Sequence, residues 1–557
     1  MHLSILDIVK HWYFTFIILL IPCINIGQLD YDWAFSLAES EENFLIDLEF
    51  STNGDVYILG TYKGNIDMNP SSQNYILTIM GNLDTYLAKY TSTGALIWAK
   101  SIGGSGAVIL PFDIELDDYN NIYIAGSIEG TADFDPNSGT TNLSSTASFG
   151  SNSFIAKYDT SGNLNWANTF PGDDNYSSVI KIKDSSLYIG GLINGYVTFT
   201  SAGGGYSYSQ SNGGYYYSKF DINGQLIWVK SLNTYGNFFR TLAIDSNDNI
   251  ILGGSFFANI DMDPGVGTVE MNTSGGSGFV GKYDSLGNYI WSLQLSTAGS
   301  SAVNHLVLDQ NSNIFITGRD TSQSIMIGCI NSNGMIQWLH KLGSANMHSG
   351  LEIDISNNDN LFCSGVITNS SSNLVDFDHT SSIMTTALAN GTNESIDAWV
   401  GEFSKINGDV LWVDAIGGSI SNTVGFETST AKLHPDGSIY IGGGFTDEIF
   451  LNPGGIPIFS TINQGSKNTF ISHFTYTPVS IQTKDPIVIS IYPNPSDDII
   501  YIDSKLTIQN YTVIDIYGNL IATGFNQKIN VSHFASGIYI LIIESNKGLF
   551  QTKFIKE

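Results

Sequence analysis

Several segments of the chain space two oxygen-bearing side chains two residues apart. They read Asp67-Met68-Asn69-Pro70, Asp133-Phe134-Asp135-Pro136, Asp261-Met262-Asp263-Pro264 and Asp376-Phe377-Asp378-His379. On an extended chain such side chains point to one face, and calcium takes six to eight oxygens from carboxylates and carbonyls. The structural alternative has the central apolar residue anchored inward, Asp capping a turn with its side chain and Pro ending the strand. The sequence favours this alternative, because no loop carries the glycine and distal Glu of an EF-hand. The expectation is therefore no cofactor, with calcium at Asp67, Asn69, Asp133, Asp135, Asp261, Asp263, Asp376 and Asp378 as the one candidate.

Linear signatures of catalysis are absent. His305, His340, His348, His379, His434 and His473 are scattered without an H-E-x-x-H pair, and there is no G-x-S-x-G elbow or phosphate loop. No catalytic residue is assigned. Carboxylates are abundant enough for a glycosidase or lyase pair to assemble only in space. The tyrosines around Tyr206, Tyr208 and Tyr215-Tyr216-Tyr217 suit sugar or protein contacts, but they read better as strand formers.

The elements that position these residues repeat along the chain. An apolar strand ending in glycine recurs seven times, at Gly60, Gly126, Gly191, Gly254, Gly318, Gly365 and Gly443. Four of the six intervals are 63 to 66 residues, with a short fifth unit and a long sixth. A second strand follows each, as in TYLAKYTSTG near Lys89, SFIAKYDTSG near Lys157 and FVGKYDSLG near Lys282. The first six of these run through a glycine-containing turn into a strand bearing Trp98, Trp166, Trp228, Trp291, Trp338 or Trp412. The last copy, near His473, has no such strand after it, whereas Asp32-Trp33-Ala34-Phe35 at the front of the chain has the right pattern. Alternating stretches such as Phe112-Asp113-Ile114-Glu115-Leu116-Asp117 supply a half-buried fourth strand per unit. Four strands in each of seven units predict an all-β, seven-bladed β-propeller over 28–476, with the N-terminal strand completing the last blade. The glycine-ended strand, the DFDP-like segment and the AKYDxxGxxxW stretch together resemble the bacterial SBBP-type β-propeller repeat. That resemblance implies the fold and no particular activity.

A linker is expected over 477–487, where Thr477-Pro478 and Lys484-Asp485-Pro486 interrupt the pattern. Residues 488–557 then carry short, evenly spaced strands, which predict a small Ig-like β-sandwich. Their markers are Tyr492-Pro493-Asn494-Pro495, Asp515 and Gly518 of a D-x-Y-G turn, Gly537 and Tyr539 of S-G-I-Y, and Lys553 and Lys556 in a basic, aromatic tail. In this order they resemble the type A C-terminal sorting domain of the type IX secretion system. The resemblance implies a Bacteroidetes-type bacterium, the secretion machinery as a partner, and a cargo that is released or held at the outer surface.

Lys10 and the apolar run Trp12–Ile21, ahead of Gly27, predict a signal peptide over 1–27. No later stretch is apolar enough for a transmembrane helix. Of the 557 residues, 42% are apolar and 13% charged, and the formal charge is −30 with only two arginines, Arg240 and Arg319. A phosphate-binding surface needs clustered bases, so nucleic acid is an unsuitable partner. The sequence leads to a secreted or surface-held, non-catalytic propeller binding glycan or protein. The alternative is a secreted polysaccharide hydrolase or lyase using acidic residues on one propeller face.

Overall fold

The computed structural model describes residues 28–37, 41–146, 150–201, 204–297, 299–343, 348–368, 374–379, 385–387, 396–416, 430–445, 448–449, 459–460, 468–477, 490–492, 494–503, 508–515, 520–545 and 548–557. The signal peptide, residues 478–487 of the linker 477–487, Pro493 and Gly518 lie outside them. The chain divides into two units, 1–477 and 478–557.

In the first unit, antiparallel four-stranded arrangements follow one another along the chain. The first contains Asn43–Phe50, Val56–Tyr62, Asp84–Tyr90 and Leu96–Ile102 in spatial order. The second contains Val108–Leu116, Ile122–Glu129, Asn152–Tyr158 and Leu164–Phe170. The next two share the long strand Leu226–Ile244. Its first half pairs with Gly204–Asp221 and its second half with Ile250–Asp261. Two more follow, beginning at Ala302–Leu308 and Ser349–Ile355. The final sheet holds Thr430–Leu433, Ile439–Phe445, Asn468–Thr477 and, on its outer edge, Gln28–Leu37. The N-terminal strand thus pairs with the last strand of the unit, from Gln28 opposite Thr477 to Leu37 opposite Thr469.

The recurring residues have physical roles. In most units the first strand bulges where it meets the glycine that ends the second, as between Leu45 and Asp47, Pro111 and Asp113, and Gly350 and Glu352. A Cβ at Gly60, Gly126 or Gly365 would fall 2.0–2.3 Å from a carbonyl of that bulged strand, so only glycine fits this close approach. Five of the six tryptophans lie against the turn glycine of the next unit: Trp98 at Gly162, Trp166 at Gly224, Trp228 at Gly287, Trp291 at Gly334 and Trp338 at Gly408, whereas Trp412 is buried and donates to Glu402. Trp98, Trp166 and Trp291 also donate their indole N–H to Thr160, Ile222 and Ser332 carbonyls in those turns, at 3.1–3.3 Å. Trp33, on the strand added to the final sheet, makes the same contact with Gly94 of the first sheet. Leu45 of the first sheet also shares a core cluster with Tyr440 and Ile471 of the final one.

In three units the tyrosine that ends the second strand anchors the paired-acid segment. Tyr90, Tyr158 and Tyr283 donate to the carbonyls of Met68, Phe134 and Met262 at 2.6, 3.0 and 3.1 Å. Both partners in each pair are buried. Tyr158→Phe leaves the Phe134 carbonyl buried and unpaired, and is expected to lower stability by about 1–3 kcal/mol in urea denaturation. Tyr215, Tyr216 and Tyr217 are likewise buried in the core. Cys329 and Cys363 are unlinked, buried thiols in one core cluster.

The second unit contains two antiparallel sheets. One joins Ser490–Tyr492, Ile499–Asp503 and Lys528–Asn530. The other orders Leu520–Gly524, Ile508–Asp515, Gly537–Ser545 and Gly548–Lys556. Ile500, Val513, Ile529, Leu541, Ile543 and Phe554 share its core.

Candidate functional site

The paired-acid segments form capped turns. One oxygen of Asp67 accepts the backbone N–H of Asn69 and of Tyr75, at 3.0 and 2.8 Å. Asp133 does the same for Asp135 and Thr141, and Asp261 for Asp263 and Val269, at 2.8–3.1 Å. Asp376 accepts from Asp378 at 2.9 Å. In the first three pairs the second member caps the next residues: Asn69 accepts from Ser71, Asp135 from Asn137 and Asp263 from Gly265. Met68, Phe134, Met262 and Phe377, between the paired residues, are fully buried. The spacing thus serves local capping of these turns. Among the described residues, no group of three or more His, Cys, Asp or Glu is placed to hold a metal.

A different set of polar residues gathers at the middle of the first unit. The first strands of the sheets line a cavity of about 370 Å³, within the volume range of small-molecule sites. Its wall includes Glu49, Lys181, Ala243, His305, Val307, Glu352, Asp354 and Lys432. Two layers of side chains account for it. The residues just after the bulges (Asp113, Thr241 and His305) accept backbone N–H groups of the neighbouring first strand. Their donors are Ile180, Leu306 and Ile353, at 2.8, 3.2 and 3.2 Å. This layer joins adjacent sheets. Two residues further along each strand come Glu49, Glu115, Lys181, Ala243, Val307, Asp354 and Lys432, all but Glu115 in the cavity wall.

Charge is distributed unevenly around these layers. Lys432 reaches Asp47 at 3.0 Å and also binds Glu49. Lys181 binds Glu115. Those carboxylates hold both ammonium groups above their ordinary pKa despite burial. His305 Nδ1 lies 3.3 Å from Glu352, each about a quarter exposed to the cavity. Burial pushes Glu352 up to about 7, against the pull of Lys432, and pushes His305 down to about 4. Burial also raises Glu49, Asp113 and Asp354.

Two opposing pH effects follow. The folded chain binds more protons than the unfolded one at Glu352 between pH 4.5 and about 7, so this group's stabilisation is lost as pH rises through that window. His305 binds fewer protons when folded between about 4 and 6.5, so its stabilisation is lost as pH falls. Glu352→Gln mimics the protonated acid. The variant should exceed the parent's stability at pH 8 by about 1–2 kcal/mol, after allowance for exposure to the cavity. It should match the parent at pH 4, as read from urea melts.

The sequence flagged one strand of this site, the alternation around Asp113 and Glu115, but no member of the cavity wall. The same spacing is present in Asp47-Leu48-Glu49, Glu352-Ile353-Asp354 and Lys181-Ile182-Lys183. It could have been found by aligning every segment that precedes a glycine-ended strand.

In the second unit the sequence markers meet at one edge. Asn494 accepts the Ile555 N–H at 2.9 Å and donates to the Lys553 carbonyl at 3.1 Å, tying the YPNP segment to the final strand. Lys556 is 3.7 Å from Asp497. Tyr539 packs on Phe554 and donates to the Ala535 carbonyl at 2.8 Å. Asp515 and Gly537 lie on neighbouring elements of the larger sheet, with Asp515 opposite Tyr539. Residues 490–557 match the family described as the secretion system C-terminal sorting domain. This segment is a sorting domain. It exports the chain by type IX secretion to the cell surface or the extracellular space, and the secretion machinery is its partner.

Outside the sorting domain the likenesses are distant. An uncharacterized WD repeat-containing protein of Acanthamoeba polyphaga mimivirus is 24% identical over 327 residues. The match covers 45% of this chain and 23% of that relative, so the chain spans about a quarter of the relative's length. Among solved structures, the polysaccharide lyase Uly1 aligns with 80% of this chain and 99% of its own, at 9% identity and a TM-score of 0.33. The extracellular domain of a one-component system from B. thetaiotaomicron aligns with 95% of this chain and 98% of its own, at 11% identity and a TM-score of 0.16. Scores this low support no statement about what the chain binds or does. Among the described residues, no helix is long and apolar enough to cross a membrane.

Proposed function

We propose that the first unit is a closed, seven-bladed β-propeller of SBBP-like repeats, delivered by its sorting domain to act as a non-catalytic binding protein for a surface glycan or protein. Closure is supported by the N-terminal strand on the final sheet and by Trp33 lying on the first sheet as Trp98 lies on the second. The observation that carries the binding role is the central cavity. Its two lysines are already neutralised by carboxylates and its volume suits a small ligand or a protruding group. In this reading Asp67, Asn69, Asp133, Asp135, Asp261, Asp263, Asp376 and Asp378 serve as turn caps, and chelation leaves the melting temperature unchanged. A fall in melting temperature on chelation, restored by calcium, would instead make them ligands.

One observation favours a second reading, a polysaccharide hydrolase or lyase. Glu352 is held near neutrality beside His305, the protonation state that general acid–base work requires. A glycan array combined with an assay for new reducing or unsaturated ends separates the two. Binding without product supports the binding protein. Product that disappears in Glu352→Gln supports the enzyme.

A further inference from the structure

We infer that the central cavity takes a compact organic ammonium, its charged end against Glu352 and Asp354 and its ring or apolar body against Ala243 and Val307. The inference rests on the reading of this cavity as the ligand site.

Glu49, Glu352 and Asp354 line the cavity beside Lys181 and Lys432, and Asp47, Asp113 and Glu115 act on the same two lysines. The lysines are not shared evenly. Lys432 is engaged by Asp47 and Glu49, and Lys181 by Glu115. Among the described residues, no lysine or arginine forms an ion pair with Glu352 or Asp354. The nearest base to Glu352 is the imidazole of His305, which burial keeps neutral at pH 7. Asp354 accepts the N–H of its own neighbour Ile355 at 2.7 Å. Glu352 and Asp354 thus have no ammonium within ion-pair distance and feel Lys432 only from further off, an arrangement that a bound positive charge relieves.

The shape of the cavity supplies the other half. The two preceding strands carry Ala243 and Val307 where the other first strands carry Glu, Lys or Asp. These smaller, uncharged side chains open room and add an apolar wall continued by Leu308 and Ile244. A molecule lying there places an ammonium over Glu352 and Asp354 and a hydrocarbon or pyranose C–H face over Ala243 and Val307. A neutral ligand would leave the two acids unpaired. An anion would meet a surplus of like charge. A metal ion would lack ligands, since no three suitable side chains converge among the described residues. A free aromatic amine and an amino sugar share the required chemistry.

Isothermal titration of the exported chain with phenethylamine and with glucosamine, each against its neutral counterpart 2-phenylethanol or glucose, tests the inference. At least one amine is expected to bind near one per chain and about tenfold or more tighter than its counterpart. The Glu352→Gln/Asp354→Asn double variant should lose that preference while melting no lower than the parent. The amine that binds identifies the source, a free amine or an amino sugar. No amine binding, equal binding of the neutral partner, or a preference unchanged in the double variant overturns the ammonium. Cavity-filling Ala243→Trp, with Val307→Phe as a second variant, separates that failure from failure of the cavity reading. If a neutral ligand binds and filling abolishes it, the cavity is the site and only the ammonium is wrong. If ligand binding survives filling in a variant that melts normally, the cavity reading fails as well.

Discussion

A chain lacking residues 28–37 is expected to lose its cooperative thermal transition or to aggregate on expression, although it keeps every residue of the cavity wall. The missing strand pairs along the length of Asn468–Thr477, so its removal bares a long edge that can recruit other chains. It also removes the buried side chains Leu29, Phe35 and Leu37 and the Trp33 contact with the first sheet. A milder variant makes the point without deletion. Leu37 is fully buried, so Leu37→Ala should cost about 2–5 kcal/mol, read as a shift of the urea midpoint. A comparable truncation at an outer strand that closes nothing would cost less. A chain without residues 28–37 that melts as the parent does would mean that the final sheet is complete without its N-terminal strand.

Loss of the sorting domain should have an equally large effect, on location. A chain ending before Ser490 is expected to accumulate inside the outer membrane, with essentially none at the surface or in the medium, because residues 490–557 carry the secretion signal. Asn494→Ala refines the prediction. Its side chain makes two hydrogen bonds that hold the YPNP segment to the last strand, so its loss should loosen this edge by about 1–3 kcal/mol. Export should fall sharply while the first unit melts unchanged. Cell fractionation with immunoblotting reads both variants.

Much of this architecture is legible in the residues because the repeats record contacts made several times over. Glycines such as Gly60, Gly126 and Gly365 recur because a Cβ would strike the neighbouring bulge, and tryptophans such as Trp98 and Trp166 recur because each covers the next unit's turn. The offset of Trp33 from the other copies pointed to its place on the last sheet for the same reason. The cavity was not legible, because its chemistry lies in how the units differ. At equivalent places the chain carries Glu49, Lys181, Ala243, Val307, Asp354 and Lys432, and no single stretch of sequence shows that they face one space. Conversely, the Asp67, Asp133 and Asp261 pairs stood out because they repeat, and they repeat because each caps the same kind of turn. The calcium spacing and the capping spacing are the same on paper, and the chelation experiment separates the roles.

In the proposed function, the exported chain binds its ligand in the cavity without altering it. The most direct measurement is a calorimetric titration of the secreted protein with its strongest glycan-array or amine ligand, followed by mass spectrometry of the recovered ligand. One site per chain, a ligand of unchanged mass, and binding that vanishes in Ala243→Trp while the fold persists are the expected results. A ligand recovered cleaved, or bound equally well by the filled variant, would contradict them.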